Sequence, residues 1–238
     1  MDDFSLLTAH TQPTARRPLL GLTVLVVEDS RYACDAIRLL CLRSGARIRR
    51  ADCLGSARKH LQTYRPSVVI VDMGLPDGSG ADLIAELALA QPRVGVVLAI
   101  SGETAVEADA MDAGADGFLP KPLASLGVFQ EAILSRLPAD RQPEGPRSVP
   151  AEVVHPDRVA YRDDLCHAAA SLSKGVKARE IAYVGQFLSG IARSAGDRPL
   201  ARAAEAISGK NGFSNSLHTD VSTLDRLLKD RIAQEVAI

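Results

Sequence analysis

Two different periods divide the chain. In the first half, largely apolar runs at 22–27, 68–71 and 94–100 end in Glu, Asp and Ser, and a mixed run at 115–119 that reads as a fifth strand ends in Pro. Runs of this length bounded by turn residues predict strands buried on both faces of a parallel sheet. Residues 46–50 form a shorter run broken by three arginines, which predicts a strand at or near the sheet edge. Between these runs, apolar residues recur at helical spacing over 31–43, 54–64, 81–90, 105–113 and 123–137, with Gly45, Pro66 and Gly114 as stops. Strand and helix therefore alternate five times. That alternation predicts right-handed βαβ units and a parallel sheet covered on both faces.

The second half has no strand pattern. Prolines at 138, 143, 146, 150 and 156 mark an extended linker over 138–156. Helical patterns follow at 157–173, 177–195, 199–208 and 217–236, with a break at Gly209-Lys210-Asn211-Gly212. The apolar stripes Ile181, Val184, Leu188, Ile191 and Val221, Leu224, Leu227, Leu228, Ile232 have the spacing of a core or a dimer interface. The expected organisation is a polar N-terminal arm (1–19), an α/β domain (20–137), the linker (138–156) and a small all-α bundle (157–238).

The chemistry gathers at the strand ends. Val68-Val69-Ile70-Val71 runs straight into Asp72, then into Met73-Gly74-Leu75-Pro76-Asp77-Gly78-Ser79-Gly80. A carboxylate at that point can be reactive, metal-bound or simply a helix cap. In open α/β sheets, the carboxyl ends of the strands are where ligands bind. Glu28, Asp29 and the capping residue Ser30 follow the first strand, Ser101 ends the fourth and Lys121 follows the fifth. In a parallel sheet all of these ends share one rim. Three carboxylates, a hydroxyl and an ammonium would converge there. Crowded acids need a cation, and an all-oxygen site with few protein ligands points to Mg²⁺.

Composition narrows the function classes. The net charge of −1 favours neither nucleic acid nor an anionic membrane, and an aromatic content of 4% with no Trp argues against a base-stacking platform. Cys34, Cys41, Cys53 and Cys166 form no CxxC pair; they read as reduced, buried thiols of a cytoplasmic protein. Met1-Asp2-Asp3-Phe4 opens acidic, and no apolar run approaches bilayer length, so neither a signal peptide nor a membrane span is expected.

These residues resemble a known family. Glu28-Asp29, the Asp72-to-Gly80 run, Ser101-Gly102 and Gly114-Ala115-Asp116-Gly117-Phe118-Leu119-Pro120-Lys121-Pro122 occur in the order of a receiver domain of two-component response regulators. The resemblance covers residues 20–137 and implies a flavodoxin-like, doubly wound sheet of strand order 2-1-3-4-5. It implies Asp72 as phosphoacceptor, taking a phosphoryl group from a histidine kinase or phosphotransfer protein. It also implies Mg²⁺ held by Asp29, Asp72 and the Gly74 backbone carbonyl, with Glu28 acting through the metal's water shell. Lys121 and Ser101 would grip the phosphoryl oxygens, and Ser101 and Phe118 would form the switch. Such a protein is a signalling relay rather than an enzyme. The segment from Ser101 to Lys121 is shorter than the family usually has, which puts the usual dimerisation face after the fourth strand in question.

The C-terminal helices carry less information. They read first as an interaction or dimerisation module for a protein effector. A second reading is DNA binding, but acids at Asp220, Asp225, Asp230 and Glu235 interleave the last helix, where a recognition helix needs basic residues. A third is a divergent phosphotransfer domain using His167, but Ala168-Ala169-Ala170-Ser171 follows it where that family has Lys-Gly. Lys174-Gly175 alone makes no phosphate loop.

Overall fold

The computed structural model describes residues 12–173, 178–208 and 215–234. The apolar runs form β1 (Thr23–Val27), β3 (Val68–Asp72), β4 (Val96–Ser101) and β5 (Gly117–Pro120), and the arginine-rich run forms β2 (Arg47–Ala51). All five pair in parallel, in the order β2-β1-β3-β4-β5. Every residue of β3 and β4 is buried, whereas β2 buries only Ala51. The arginines of β2 therefore sit on an edge, where charge discourages pairing with another chain.

Five helices flank this sheet: α1 (Arg31–Ser44), α2 (Leu54–Thr63), α3 (Gly80–Leu89), α4 (Glu107–Asp112) and α5 (Leu126–Leu134). Because side chains alternate along a strand, β1 sends Val24 and Val26 into one core, with Ile37, Leu40, Phe129 and Ile133 of α1 and α5. It sends Leu25 and Val27 into the other, with Leu54, Ala57, Leu83 and Ile84 of α2 and α3. A short antiparallel hairpin, Gly74–Leu75 with Gly78–Ser79, follows β3. Gly80 then begins α3 so close to the Asp72 carbonyl oxygen that any Cβ would collide with it. This close approach folds the turn tightly back on the strand that presents Asp72.

Two elements differ from expectation. The helix expected over 105–113 is reduced to a 3₁₀ turn, Thr104–Val106, and the six-residue α4. The helix expected from residue 123 begins at Leu126, capped by Ser125, whose hydroxyl accepts from the Val128 N–H. Residues before it are held extended by the linker: Val154 N–H donates to the Ala124 carbonyl and Leu126 N–H to that of Glu152. Val154 is buried in the α1/α5 core, so the linker is strapped to the α/β domain and does not hang free.

The second half forms α6 (Arg158–Ser173), α7 (Ala178–Ser194), α8 (Arg198–Ser208) and α9 (Asn215–Gln234). Ile181, Val184, Leu188, Ile191, Leu224 and Leu228 are buried in one cluster with Leu165, Leu200 and Ile207, while Val221, Leu227 and Ile232 pack at its margin. The stripes thus build a core. At Gly185 a Cβ would press on the Ala204 carbonyl and Ile207, so its absence lets α7 and α8 approach closely. Residues 1–11 of the arm, Lys174-Gly175 and the break at 209–212 lie outside the described residues. Cys34 and Cys41 are buried as expected; Cys53 is instead a half-buried cap of α2, and Cys166 is exposed. No described helix is long and apolar enough to cross a membrane.

Candidate active site

The parallel strand ends bring the expected residues together. Glu28, Asp29, Asp72, Gly74, Ser101 and Lys121 line one cleft. Carboxylate oxygens of Glu28, Asp29 and Asp72 lie within 4.8 Å of one another. Lys121 Nζ donates to Asp72 Oδ2 at 2.9 Å and sits 2.6 Å from Glu28 Oε2. The latter contact misses hydrogen-bond geometry, which leaves that fully buried oxygen with charge compensation but no directed donor. An under-donated carboxylate oxygen in an acidic cluster suits a hard divalent cation. Glu28 Oε1 accepts from the Ser30 N–H, fixing its orientation. The Lys121 N–H donates to the Ser101 carbonyl at 2.8 Å, tying the ends of β4 and β5 together. The Ser101 hydroxyl accepts from the Glu103 N–H. Phe118 does not reach the cleft; it packs at the margin of the α2/α3 core.

Helix α7 roofs the same cleft. Gln186, Phe187, Gly190, Arg193 and Ser194 complete its lining, and the space left at its centre is about 30 Å³. The Tyr183 hydroxyl donates to Asp29 Oδ2. From α6, Asp164 accepts from the Ser30 hydroxyl at 2.7 Å, the Arg31 N–H at 3.0 Å and the Tyr32 N–H at 3.0 Å. The first turn of α1 is therefore capped by a residue far along the chain, which satisfies N–H groups with no partner inside the helix.

The sequence matches the response regulator receiver domain family over residues 24–133. Those residues are a receiver domain. Over 107 residues the chain is 34% identical to the KDP operon transcriptional regulatory protein KdpE of Escherichia coli, covering 45% of this chain and 47% of that protein. It is 28% identical over 130 residues to the response regulator MprA of a Mycobacterium species, covering 53% and 56%. The chain spans about half the length of the curated relatives it matches. Among solved structures, a two-component response regulator from Clostridium difficile aligns at 20% identity with a TM-score of 0.44, covering 48% of this chain and 97% of its own. The receiver domain of a sensor histidine kinase from Pseudomonas aeruginosa, solved with a magnesium ion in its active-site cleft, aligns at 20% identity with a TM-score of 0.44, covering 48% and 96%. The family match ends at residue 133 and leaves the C-terminal helices unassigned.

Electrostatics in the receiver cleft follow from burial. Burial, then the charges of Asp72 and Asp29, push Glu28 up to about 8 against the pull of Lys121. Burial and the Asp72 charge push Asp29 up to about 6. Burial works against the Lys121 ammonium, but Asp72 and Glu28 outweigh it and hold the lysine charged. A carboxyl whose pKa is raised by folding contributes stability at low pH and loses it as pH rises through the folded value. In chelator, melting temperature should therefore fall as pH rises through about 6 and then about 8. Glu28→Gln should lack the upper part of that fall. Parallel thermal melts of the two proteins from pH 5 to 9 check this; superimposable slopes would contradict it.

Sequence reasoning missed Tyr183, Gln186, Arg193 and Asp164. One signal was present. Tyr183, Phe187, Gly190 and Ser194 form a second stripe on α7, offset from the Ile181–Val184–Leu188–Ile191 core stripe. Two aromatics off the core face mark a second buried contact. Asp164 gave no signal, because an acid inside an exposed-looking helix is ordinary. His167 is exposed; its ring lies 6.3 Å from that of Phe187.

Proposed function

We propose that the protein is a response regulator that accepts a phosphoryl group on Asp72. The observation that carries this is the single rim where Asp72 meets Lys121 at 2.9 Å within a cluster of three carboxylates. An Asp72 carboxylate oxygen attacks phosphorus in a phosphohistidine or small phosphodonor. With phosphohistidine the P–N bond breaks, and the imidazole departs with its electron pair and takes a proton from solvent; with acetyl phosphate the P–O bond breaks and acetate departs as the anion. Lys121 pairs with Asp72 at rest and with a phosphoryl oxygen afterwards. Ser101 donates to a second oxygen, and Phe118 moves with it as the switch. Asp29, Asp72 and the Gly74 carbonyl would hold Mg²⁺, with Glu28 acting on its water shell. Such an ion supplies charge neutralisation between an anionic acceptor and an anionic donor. The protein's part is positioning and charge, which is most of what phosphoryl transfer requires.

In this reading the receiver spans 20–137, a histidine kinase or phosphotransfer protein is the donor, and the bundle at 157–238 is the output module that engages a protein effector or a second copy. DNA binding is the second reading. The regulatory names of the curated relatives favour it. Against it, acids and bases balance along α9, which offers no basic approach to a phosphate backbone. The test is labelling with acetyl phosphate. Label should appear with Mg²⁺ and be lost in EDTA. Its uptake should weaken as pH falls through about 8 and about 6, where protons compete for Glu28 and Asp29. Absence of label from both small donors and a panel of kinases would overturn the proposal.

A further inference from the structure

We propose that α7 is the receiver's own cap. The C-terminal bundle docks on the phosphoacceptor cleft, must lift for a donor to reach Asp72, and stays lifted while Asp72 carries a phosphoryl group. The inference rests on the function proposed above and adds the regulation of that site.

Space makes the first argument. With α7 seated, about 30 Å³ remains at the centre of the cleft, enough for a water or two. It does not admit an incoming phosphodonor, and a phosphoryl group adds a phosphorus and three oxygens to Asp72. The residues that close it belong to the bundle: Gln186 lies against Gly74, and the Arg193 guanidinium lies against Gly102, next to Ser101.

The second argument is where the bundle is anchored. Besides the Asp157 N–H, which donates to Asp35 on α1, two of its polar anchors fall on the site itself. Tyr183 holds Asp29, and Asp164 holds Ser30 and the two N–H groups that follow. A change in the charge or position of the Glu28–Ser30 segment is felt directly at both anchors. The additional surface pair Arg31–Asp163 is exposed and adds little. The contact also includes the Tyr32 ring of α1, 5.4 Å from that of Tyr161; mixed polar and apolar contacts between domains of one chain leave relative motion open.

Lifting α7 uncovers Tyr183 and Phe187, whose rings pack 6.2 Å apart on the docked face. The output of phosphorylation is then the exposure of this aromatic face, without any rebuilding of the bundle core.

Two variants test the cap. Tyr183→Phe removes one hydrogen bond to a carboxylate and keeps the ring; labelling by acetyl phosphate should speed up about tenfold, the equilibrium factor of one such bond. The second is a lock. A Cβ at Gly102 would lie 3.7 Å from the Gly190 Cα, close enough to bridge. Gly102→Cys with Gly190→Cys, in a Cys53→Ser, Cys166→Ser background, should refuse label when oxidised and recover it on reduction. Protease cleavage within 138–156 should accelerate after phosphorylation of the native protein. Unchanged labelling in Tyr183→Phe together with labelling of the oxidised lock would overturn the cap and leave the phosphoacceptor proposal standing. Slower cleavage after phosphorylation would also overturn it, since the bundle would then close on the phosphoryl group. If neither the native protein nor the reduced lock takes label, the receiver reading and the cap fail together.

Discussion

Asp72→Asn is expected to abolish phosphoryl incorporation while leaving the fold intact. An amide oxygen is neutral and a poor nucleophile, so no acyl phosphate forms. The structural cost is small for two reasons. Lys121 keeps Glu28 at 2.6 Å. The substitution also removes one of three mutually repelling charges within 4.8 Å, so the pressure that raises Glu28 and Asp29 is relieved. In chelator at pH 8 the variant should be at least as stable as the native protein. Acetyl phosphate labelling, with circular dichroism and melting as fold controls, is the measurement. Label retained above about a tenth of the native level would sink the assignment of Asp72, as a neighbouring carboxylate would then be the acceptor.

Lys121→Met should cost about 3–5 kcal/mol at pH 8, the usual range for removing one partner from a buried ion pair. The ammonium is 11% exposed and is the cation nearest Glu28 and Asp72, themselves 1% and 9% exposed. Methionine fills much of the space of the lysine stem, so the loss is chiefly electrostatic. Against a typical total stability of about 5–15 kcal/mol, this is a large fraction. The sign with pH is definite: Glu28, pushed up to about 8 even with the ammonium beside it, rises further without it, so at pH 5 it is neutral and the deficit should shrink there. Added Mg²⁺ should restore part of the stability at pH 8. Urea unfolding at the two pH values, with and without Mg²⁺, measures all of this. A deficit below about 1 kcal/mol at pH 8 would show that the lysine is not holding the carboxylates together.

The receiver was legible because its rules are local. A buried parallel strand must be apolar on both faces, so β3 and β4 stand out as unbroken runs. Strands that run parallel must end on the same rim, so Glu28, Asp29, Asp72, Ser101 and Lys121 could be grouped before any distance was known. The arginines of β2 announced an edge, and β2 is an edge. Boundaries were weaker. Residues 123–124 continue an apolar helical pattern, yet they are not helical, because the linker takes the Ala124 carbonyl through the Val154 N–H and the Leu126 N–H through the Glu152 carbonyl.

The bundle's four helices and its core stripes were also readable, since helical periodicity needs no partner to be visible. Where that bundle sits was not. Tyr183 meets Asp29 across 154 positions, and Asp164 meets Ser30 across 134. No spacing rule links residues so far apart, and a tyrosine or aspartate on a helix face looks the same whether it faces solvent or another domain. The sequence by itself determined the strands, their parallel direction and the rim their charged ends share, because each follows from local pattern and strand direction; the strand order was implied by the resemblance to receiver domains. Only the tertiary structure decided that α7 covers that rim, because docking depends on the shape and polarity of two surfaces that exist only after both halves have folded.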